Sequence, residues 1–198
     1  MPQPEPDERV LNVFRSTGAY LSGHFRLTSG LHSPEYLQCA LVLQHPQYAE
    51  RLGQELAAAL LAVSGSQRID LVASPAIGGL IIGHEVARAL GTRFIFAERE
   101  AGKMTLRRGF EVTMGETAVV VEDVITTGGS TREVIESLRQ HGVRVLAAGS
   151  IIDRSGGLVD LGLPRVALQT LTVVSHPPES CPLCAQGIPV VKPGSRPT

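Results

Sequence analysis

The chain has 198 residues, a formal net charge of −1 and a hydrophobic fraction of 43%. This length is enough for one domain with a sizeable core and a small accessory part. A net charge so close to zero disfavours a broad electrostatic attraction to nucleic acid or to an anionic membrane. We therefore expect no partner of either kind.

The start of the chain and its apolar stretches bear on where the protein works. The first ten residues are acidic and rich in proline, and they lack the basic segment followed by an apolar one that marks a secretion signal. Gly83, His84 and Glu85 interrupt the apolar stretch around them, and no apolar run reaches membrane-spanning length. Three cysteines without a secretory context favour a reducing compartment. We expect a cytoplasmic protein.

The N-terminal third is predicted to contain two helices and two short strands. An apolar stripe predicts a helix over residues 7–17, which Gly18 ends. Alternating apolar and polar residues around a Ser-Gly turn predict two strands within residues 23–38. Pro46 begins a second helix with leucines on one face. We assign residues 1–63 to these helices and to a small hood.

From Asp70 onward, continuous apolar strands alternate with helices. The first of these strands begins at Asp70, and the later ones are predicted over residues 93–99, 116–124, 143–153 and 165–174. This alternation indicates a parallel sheet covered by helices on both faces. The predicted fold is therefore a doubly wound α/β core over residues 64–174. The tail, residues 175–198, is predicted to pack on the core or the hood.

Three loops with unusual chemistry follow strands of this predicted sheet. The first contains Ser74, Gly78 and Gly79, the second is the basic stretch at residues 99–109, and the third covers residues 122–131. Ligands of an open α/β sheet bind beyond the carboxyl ends of its strands. We therefore expect the three loops to form one site.

The third loop combines two adjacent carboxylates with threonines, glycines and a helix N-terminus. Backbone N–H groups at a helix start, reinforced by the helix dipole, favour a phosphate. The loop has neither the lysine of a Walker A loop nor the G-x-G-x-x-G spacing of a dinucleotide site. Glu122 and Asp123 can accept hydrogen bonds from sugar hydroxyls. The plainer alternative is a glycine turn with a solvated acidic pair.

An apolar strand followed by Glu-Asp and Thr-Thr-Gly-Gly-Ser resembles the phosphoribosyl pyrophosphate signature of the type I phosphoribosyltransferases. The segment "SPAIGGL" resembles the pyrophosphate loop of this family, and "ER" with "GKMTLRRGFEV" resembles its mobile catalytic loop. "FRLTSGLHSPEYLQ" and "IIDRSGG" are similar to segments of its orotate-specific branch. The matches extend over about residues 25–157 and cover most of the chain.

The resemblance implies transfer of a phosphoribosyl group from phosphoribosyl pyrophosphate to orotate, with release of pyrophosphate and with Mg²⁺ held mainly by the donor. It makes Lys103 and Asp123 the catalytic candidates, and it places Glu122 and Asp123 on the ribose hydroxyls. The other binding candidates are Thr126, Thr127, Gly128, Gly129, Ser130 and Thr131 for the 5′-phosphate, Ser74, Gly78, Gly79, Arg99 and Lys103 for pyrophosphate, Arg154 for the orotate carboxylate, and Thr28, Ser29 and Gly30 in the hood.

In this family the mobile loop reaches the neighbouring subunit's site, which implies a homodimer with a shared active-site loop. Glu100 and Thr28 depart from the family pattern, because lysine is usual at both positions. Two other functions stay open: a phosphoribosyltransferase for a purine or another base, and a non-catalytic regulator that senses phosphoribosyl pyrophosphate. Plainer interpretations also stay open for single segments, namely a tight turn at "SPAIGG", a solvated hairpin at the basic stretch and a surface ion pair between Arg154 and Asp153.

The tail contains a short cysteine motif that this function does not use. Cys181 and Cys184 have the spacing of half a zinc site, and His176 is near in sequence. Cys39 is far away, and no second Cys-x-x-Cys pair exists. Zinc binding and a redox pair are the alternatives to the interpretation that we favour, a capping turn with reduced thiols.

Overall fold

The computed structural model describes residues 6–27, 30–65 and 67–193. The described helices are α1 (Pro6–Ser16), α2 (Cys39–Leu43), α3 (Pro46–Val63), α4 (Gly79–Leu90), α5 (Gly129–Gln140) and α6 (Pro182–Ala185). The described strands are β1 (Tyr20–Arg26), β2 (His32–Leu37), β3 (Leu71–Pro75), β4 (Arg93–Glu100), β5 (Lys103–Leu106), β6 (Thr117–Ile125), β7 (Arg144–Asp153) and β8 (Arg165–Thr170). Among these helices, none has the length and apolar character that crossing a membrane requires.

The described residues fall into two compact units. The smaller one takes its residues from 1–42 and 172–198, and the larger one is formed by residues 43–171. In the larger unit, six strands of the described chain form one sheet in the order β5-β4-β3-β6-β7-β8. Neighbouring strands are parallel, except that β4 and β5 are antiparallel.

The strand order reverses between β3 and β6. From β3 the chain moves to β4 on one side, and from β6 it moves to β7 and β8 on the other side. Such a reversal is a topological switch point, and the connections that leave the two central strands there open a crevice at their carboxyl ends. The loop before α4 and the loop before α5 both begin at this point.

Helices cover both faces of this sheet, which explains the unbroken apolar sequence of its strands. Leu71 and Ala73 of β3 belong to the same buried cluster as Val134 of α5. Ser74, which points to the opposite face, lies against Gly83 of α4. The doubly wound α/β fold predicted from the sequence is therefore confirmed.

Two boundaries of the core differ from the sequence prediction. Helix α3 belongs to the larger unit and not to the hood, because its leucines cover the sheet: a Cβ on Gly149 of β7 would lie 3.0 Å from Leu56. Strand β8 ends at Thr170, four residues before the predicted end at Val174. After β8 the chain passes into the smaller unit, whose part of the tail begins at residue 172.

The basic stretch after β4 was predicted to be a loop, and much of it is a β-hairpin instead. β4 continues to Glu100, and β5 returns antiparallel to it from Lys103. The two turn residues, Ala101 and Gly102, have φ angles of 48° and 86°. Positive φ at both central positions is the geometry that a two-residue hairpin needs to match the strand twist. β5 forms one edge of the sheet, and its Met104 is buried in the core.

The smaller unit joins an N-terminal hairpin to the C-terminal tail. Its strands β1 and β2 are antiparallel, as predicted, and α1 matches the helix predicted over residues 7–17. Single bridges connect Phe25 to Val191 and His32 to His176. The tail therefore forms backbone hydrogen bonds with both strands of the hairpin.

Candidate active site

Glu122 and Asp123 lie near the carboxyl end of β6, and Glu122 is buried. Burial raises the pKa of Glu122 well above its ordinary value, and the charge of Asp123 raises it further. The Asp123 N–H lies 3.3 Å from Glu122 Oε1, and the Val124 N–H donates to Asp123 Oδ1 at 2.8 Å. The pair therefore combines a buried acid with a half-buried one, and both accept backbone N–H groups of the strand itself.

The loop after β3 passes directly against this acidic pair. A Cβ on Gly78 would lie 2.6 Å from Asp123 Oδ1, and a Cβ on Gly79 would lie 3.3 Å from Glu122 Oε1. Only glycine allows so close an approach of backbone to carboxylate, because any side chain at Gly78 would overlap the acid. The two loops predicted from sequence to share a site are thus in contact.

Two buried serine hydroxyls adjoin these residues. Ser74, next to the last residue of β3, lies near Gly79. Ser150 of β7 is paired in register with Glu122. Neither hydroxyl has a hydrogen-bond partner among the described residues. A buried hydroxyl without a partner is unfavourable unless water or a ligand satisfies it. Ser74 was predicted from the sequence, and Ser150 was missed, although a lone serine in an otherwise apolar strand is a signal that could have found it.

The loop before α5 has the features of an anion site. Thr126 and Thr127 are exposed, and Gly128 has a φ of 73°. A Cβ on Gly128 would also lie 2.7 Å from Val159 Cγ1, so the position needs glycine for two reasons. No side chain caps the N-terminus of α5, which begins at Gly129. The first N–H groups of this helix are therefore available to a phosphate.

The first turn of α5 contains the other predicted phosphate ligands and one residue that the sequence analysis missed. Ser130 is half-buried and Thr131 is buried. The guanidinium of Arg132 donates to Thr127 O at 2.8 Å and to Asp160 O at 3.2 and 2.8 Å. Arg132 thus braces the phosphate loop through its backbone. Its signal in the sequence is a cation in a first helical turn, where the helix dipole favours acids.

Three of the four cations in the basic stretch form ion pairs with glutamates. These pairs are Arg99–Glu133 at 3.1 Å, Arg107–Glu100 at 3.6 Å and Arg108–Glu98 at 2.7 Å. Arg99, predicted to bind pyrophosphate, is thus held on α5, and its binding role stays a prediction. Lys103 is exposed at the start of β5 and forms no ion pair with any carboxylate of the described residues.

Arg154 follows β7 and is fixed beside the phosphate loop, because its backbone N–H donates to Ile125 O at 2.8 Å. The preceding Asp153 is fully buried and accepts hydrogen bonds from Arg165 at 2.5 Å and from the Ser155 hydroxyl at 2.6 Å. Burial raises the pKa of Asp153, but the hydrogen bonds from Ser155 and Arg165 outweigh it and the net pKa is lowered. Asp153 is therefore a buried partner of Arg165 and not a surface residue.

The candidates in the predicted hood are less informative. Thr28 and Ser29 lie outside the described residues. Gly30 lies in the loop between β1 and β2 of the smaller unit, where its φ is 87°. The roles predicted for these three residues stay predictions.

Within the larger unit, the structure brings together an acidic pair, a glycine loop that touches it, and an uncapped helix start that follows the same strand. Residues 42–161 match the family described as phosphoribosyl transferase domain. The orotate phosphoribosyltransferase of Pelotomaculum thermopropionicum is 59% identical over 189 residues, which are 96% of this chain and 97% of that protein. The chain belongs to the orotate phosphoribosyltransferase family.

Two further comparisons agree with this family. The orotate phosphoribosyltransferase of Heliobacterium modesticaldum is 56% identical over 96% of this chain and 98% of its own length. The crystal structure of the orotate phosphoribosyltransferase from Aeropyrum pernix matches with a TM-score of 0.67 and 30% identity, over 82% of this chain and 93% of that one. The resemblance inferred from the motifs is therefore confirmed, and the chain is an enzyme of the glycosyltransferase class.

The raised pKa of Glu122 predicts how the stability of this family member depends on pH. A group whose pKa is higher in the folded than in the unfolded state stabilises the fold at low pH and loses that contribution as the pH rises. Replacing Glu122 by Gln removes the ionisable group. We expect Glu122→Gln to raise the midpoint of thermal unfolding at pH 8 by about 2–4 °C, the shift that roughly 1 kcal/mol gives a chain of this size.

The control for this prediction is Glu136→Gln, which changes an exposed glutamate of α5. Differential scanning calorimetry between pH 5 and pH 8 measures both variants. The gain of Glu122→Gln should shrink as the pH falls toward the ordinary pKa of glutamate, whereas Glu136→Gln should follow the unmodified chain throughout. A Glu122→Gln variant that is less stable than the unmodified chain at pH 8 would contradict the assigned cost of burying this acid.

Proposed function

We propose that the chain transfers the 5-phosphoribosyl group of phosphoribosyl pyrophosphate to orotate and forms orotidine 5′-monophosphate and pyrophosphate. The observation that carries the proposal is the close approach of Gly78 and Gly79 to the acidic pair, Glu122 and Asp123, at the switch point of the sheet. The relatives support orotate as the acceptor, because their names state this activity. The steps of binding and transfer follow from the residues around the acidic pair.

The 5′-phosphate of the donor binds at the start of α5. Backbone N–H groups of Gly129, Ser130 and Thr131 and the hydroxyls of Thr126 and Thr127 hydrogen-bond its oxygens. The helix dipole supplies the favourable potential that a lysine supplies in a Walker A loop. Arg132 keeps the loop in shape, since it holds the Thr127 carbonyl from outside.

The ribose hydroxyls bind to Glu122 and Asp123. Their carboxylate oxygens accept hydrogen bonds from the two hydroxyls. When the bond from the sugar C1 to pyrophosphate breaks, positive charge develops on the sugar. A nearby carboxylate favours that charge, and this is the catalytic role of Asp123.

The pyrophosphate group lies over Gly78 and Gly79, where the backbone approaches closely, and the Ser74 hydroxyl gains a partner there. The same residues fit a Mg²⁺ ion held mainly by the donor, because the acidic pair offers only oxygen ligands. When bound, Mg²⁺ neutralises the charge that pyrophosphate gains as it departs.

Arg154, beside the phosphate loop, binds the orotate carboxylate as a bidentate pair.

Lys103 is the catalytic cation of the basic stretch, because glutamates neutralise the other three cations. It stabilises the negative charge of the departing pyrophosphate. Following the family pattern, we place it in the site of a second copy, so that Lys103 of the partner subunit completes each site of a homodimer. The hairpin geometry supports this role, because the Ala101–Gly102 turn carries Lys103 at the exposed edge of the sheet.

We place the reaction in the cytoplasm. Cys39, Cys181 and Cys184 are free of disulfides, which suits a reducing compartment. Donor and acceptor are both charged, and charged molecules do not cross an apolar bilayer unaided.

A steady-state assay with orotate, adenine, hypoxanthine, uracil and xanthine tests the acceptor. We expect turnover with orotate, and less than roughly a hundredth of that kcat/KM with each other base, because only orotate offers a carboxylate to an arginine. Asp123→Asn should lower kcat with orotate by about 100-fold or more. Glu136→Gln serves as the control and should keep full activity. Turnover of a purine without turnover of orotate would contradict the acceptor and leave the donor site standing.

Subunit complementation tests whether Lys103 acts across the dimer. Two tagged chains, one with Lys103→Ala and one with Asp123→Ala, are co-expressed, and the doubly tagged dimer is purified. If the loop is shared, one of its two sites is intact, and the dimer should show about half of the unmodified activity.

The matched control carries both substitutions in one chain beside an unmodified partner. With a shared loop, each of its sites has one defect, so this dimer should be inactive. The reverse result, an active control and an inactive test dimer, would show that Lys103 serves its own subunit.

A further inference from the structure

Four side chains of the kinds that bind zinc converge in the smaller unit, and none of them is assigned to catalysis. They are His24 of β1, His32 of β2, and Cys181 and Cys184 of the tail, and one ligand atom from each lies within 4.8 Å of all the others. Cys184 Sγ is 3.3 Å from His32 Nδ1 and 3.7 Å from His24 Nε2. Cys181 Sγ is 3.5 Å from His24 Nε2. The four ligand atoms are therefore close enough together to bind a single metal ion.

We propose that these side chains hold one structural Zn²⁺ ion in a tetrahedral Cys₂His₂ site. With Zn–N near 2.0 Å and Zn–S near 2.3 Å, tetrahedral geometry separates the ligand atoms by roughly 3.3–3.8 Å. Three of the four nitrogen–sulfur distances, 3.3, 3.5 and 3.7 Å, lie within that range, and no pair of ligand atoms is more than 4.8 Å apart. The two nitrogens are 2.9 Å apart and need only a small separation. All four ligands come from the protein, which is the closed arrangement of a structural site.

The hydrogen bonding of His24 prepares its ring for a metal. Its Nδ1 lies 2.7 Å from the carbonyl oxygen of Ile188, which can only accept, so Nδ1 carries the proton. In the neutral ring, Nε2 then presents its lone pair to the cluster. Zinc-bound histidines commonly make this second hydrogen bond to a carbonyl, which fixes the tautomer and the ring orientation.

A metal-free arrangement of the same atoms is also defined. In it the Nδ1–H of His32 would donate to His24 Nε2, and both cysteines would stay protonated thiols. Zinc binding would shift that proton to Nε2 of His32, so that the ring stays neutral, and would release both thiol protons. The two arrangements therefore differ in metal content and in thiol reactivity, which makes the proposal testable.

Backbone hydrogen bonds hold both halves of the cluster in place. The Val191 N–H donates to His24 O at 2.8 Å, and His32 and His176 exchange N–H···O bonds of 2.8 Å. In the tail, Cys181 O accepts from the Ala185 N–H at 3.1 Å. The ligands thus reach the cluster from a paired hairpin and from a closed turn, so little entropy is left to lose when a metal binds.

The tail has little else to fix it. Among residues 172–193 of the tail, Cys181 is the one side chain that is buried, while Val174, Ile188, Val190 and Val191 are exposed. A segment that buries so little apolar surface needs another source of stability. In small protein units, a bound metal ion is one such source. The proposed ion would therefore clasp the tail to the N-terminal hairpin.

The cluster changes two interpretations of the sequence. His176, the histidine nearest to the cysteines in sequence, takes part through its backbone and is not in the ligand cluster. The second pair of ligands comes instead from His24 and His32, about 150 residues away along the chain. Under the proposal, the alternative of zinc binding takes precedence over the capping turn with reduced thiols, and the two tail thiols bind the metal as thiolates.

The metal content of the full chain tests the proposal. The protein is purified without chelator and without a metal-affinity tag, and metals are measured by inductively coupled plasma mass spectrometry. We expect about one zinc per chain in the unmodified protein and in His176→Asn, and less than roughly a tenth in Cys181→Ser and Cys184→Ser. Another metal in place of zinc, or equal loss of zinc in His176→Asn, would overturn the proposal.

A second measurement needs no variant and so does not depend on how the variants fold. The unmodified chain is stripped of metal and titrated with Co²⁺, which should give the strong visible absorption of tetrahedral thiolate-bound cobalt, and Zn²⁺ should then abolish it. Zn²⁺ should also protect both tail thiols from a thiol reagent and raise the unfolding temperature. The proposal fails if Co²⁺ gives no such spectrum and the thiols react equally with and without Zn²⁺.

Discussion

Glu122 and Asp123, near the end of β6, lie against Gly78 and Gly79, where there is no room for a side chain. At Gly78 even a methyl group would lie 2.6 Å from a carboxylate oxygen of Asp123. This contact can form because β3 and β6 are neighbours at the switch point of the sheet, where their following segments leave toward different helices. The sugar diol, the phosphate and the pyrophosphate of the proposed donor each meet one of the elements that this contact brings together. The burial of Glu122, which raises its pKa, is a consequence of the same packing.

Charge pairing then determines which cations remain to act on the donor. Three arginines of the basic stretch are engaged by glutamates, and one of them, Arg99, ties β4 to α5. Glu100, which departs from the family pattern, pairs with Arg107. These exposed pairs contribute little to stability on their own. Their effect is to shape the hairpin and to leave Lys103 as its unneutralised charge. A buried pair, Asp153 with Arg165, lies next to Arg154, whose backbone N–H donates to Ile125 O.

The sequence predicts the parts of this structure that depend on local patterns. Unbroken apolar strands before glycines specify the parallel sheet, and Thr-Thr-Gly-Gly-Ser after Glu-Asp specifies the phosphate loop. The hairpin at Ala101 and Gly102 was only an alternative to a mobile loop in the sequence, because charged residues mask its short edge strand, whose Met104 is buried in the core. Ser150 and Arg132 were missed because their roles depend on partners that the fold supplies. The cysteine motif left half of a zinc site open as an alternative to a capping turn, and no local pattern could show that His24 and His32 lie beside it.

The central claim is that the acidic pair holds the ribose diol of a donor whose phosphate rests on the start of α5. A crystal structure of the chain with phosphoribosyl pyrophosphate and Mg²⁺ tests it most directly. The account predicts both ribose hydroxyls within about 2.5–3.2 Å of Glu122 and Asp123 oxygens, with the 5′-phosphate on the N–H groups of residues 128–131. A donor bound elsewhere, or one whose hydroxyls face solvent while its phosphate occupies another loop, would contradict the account.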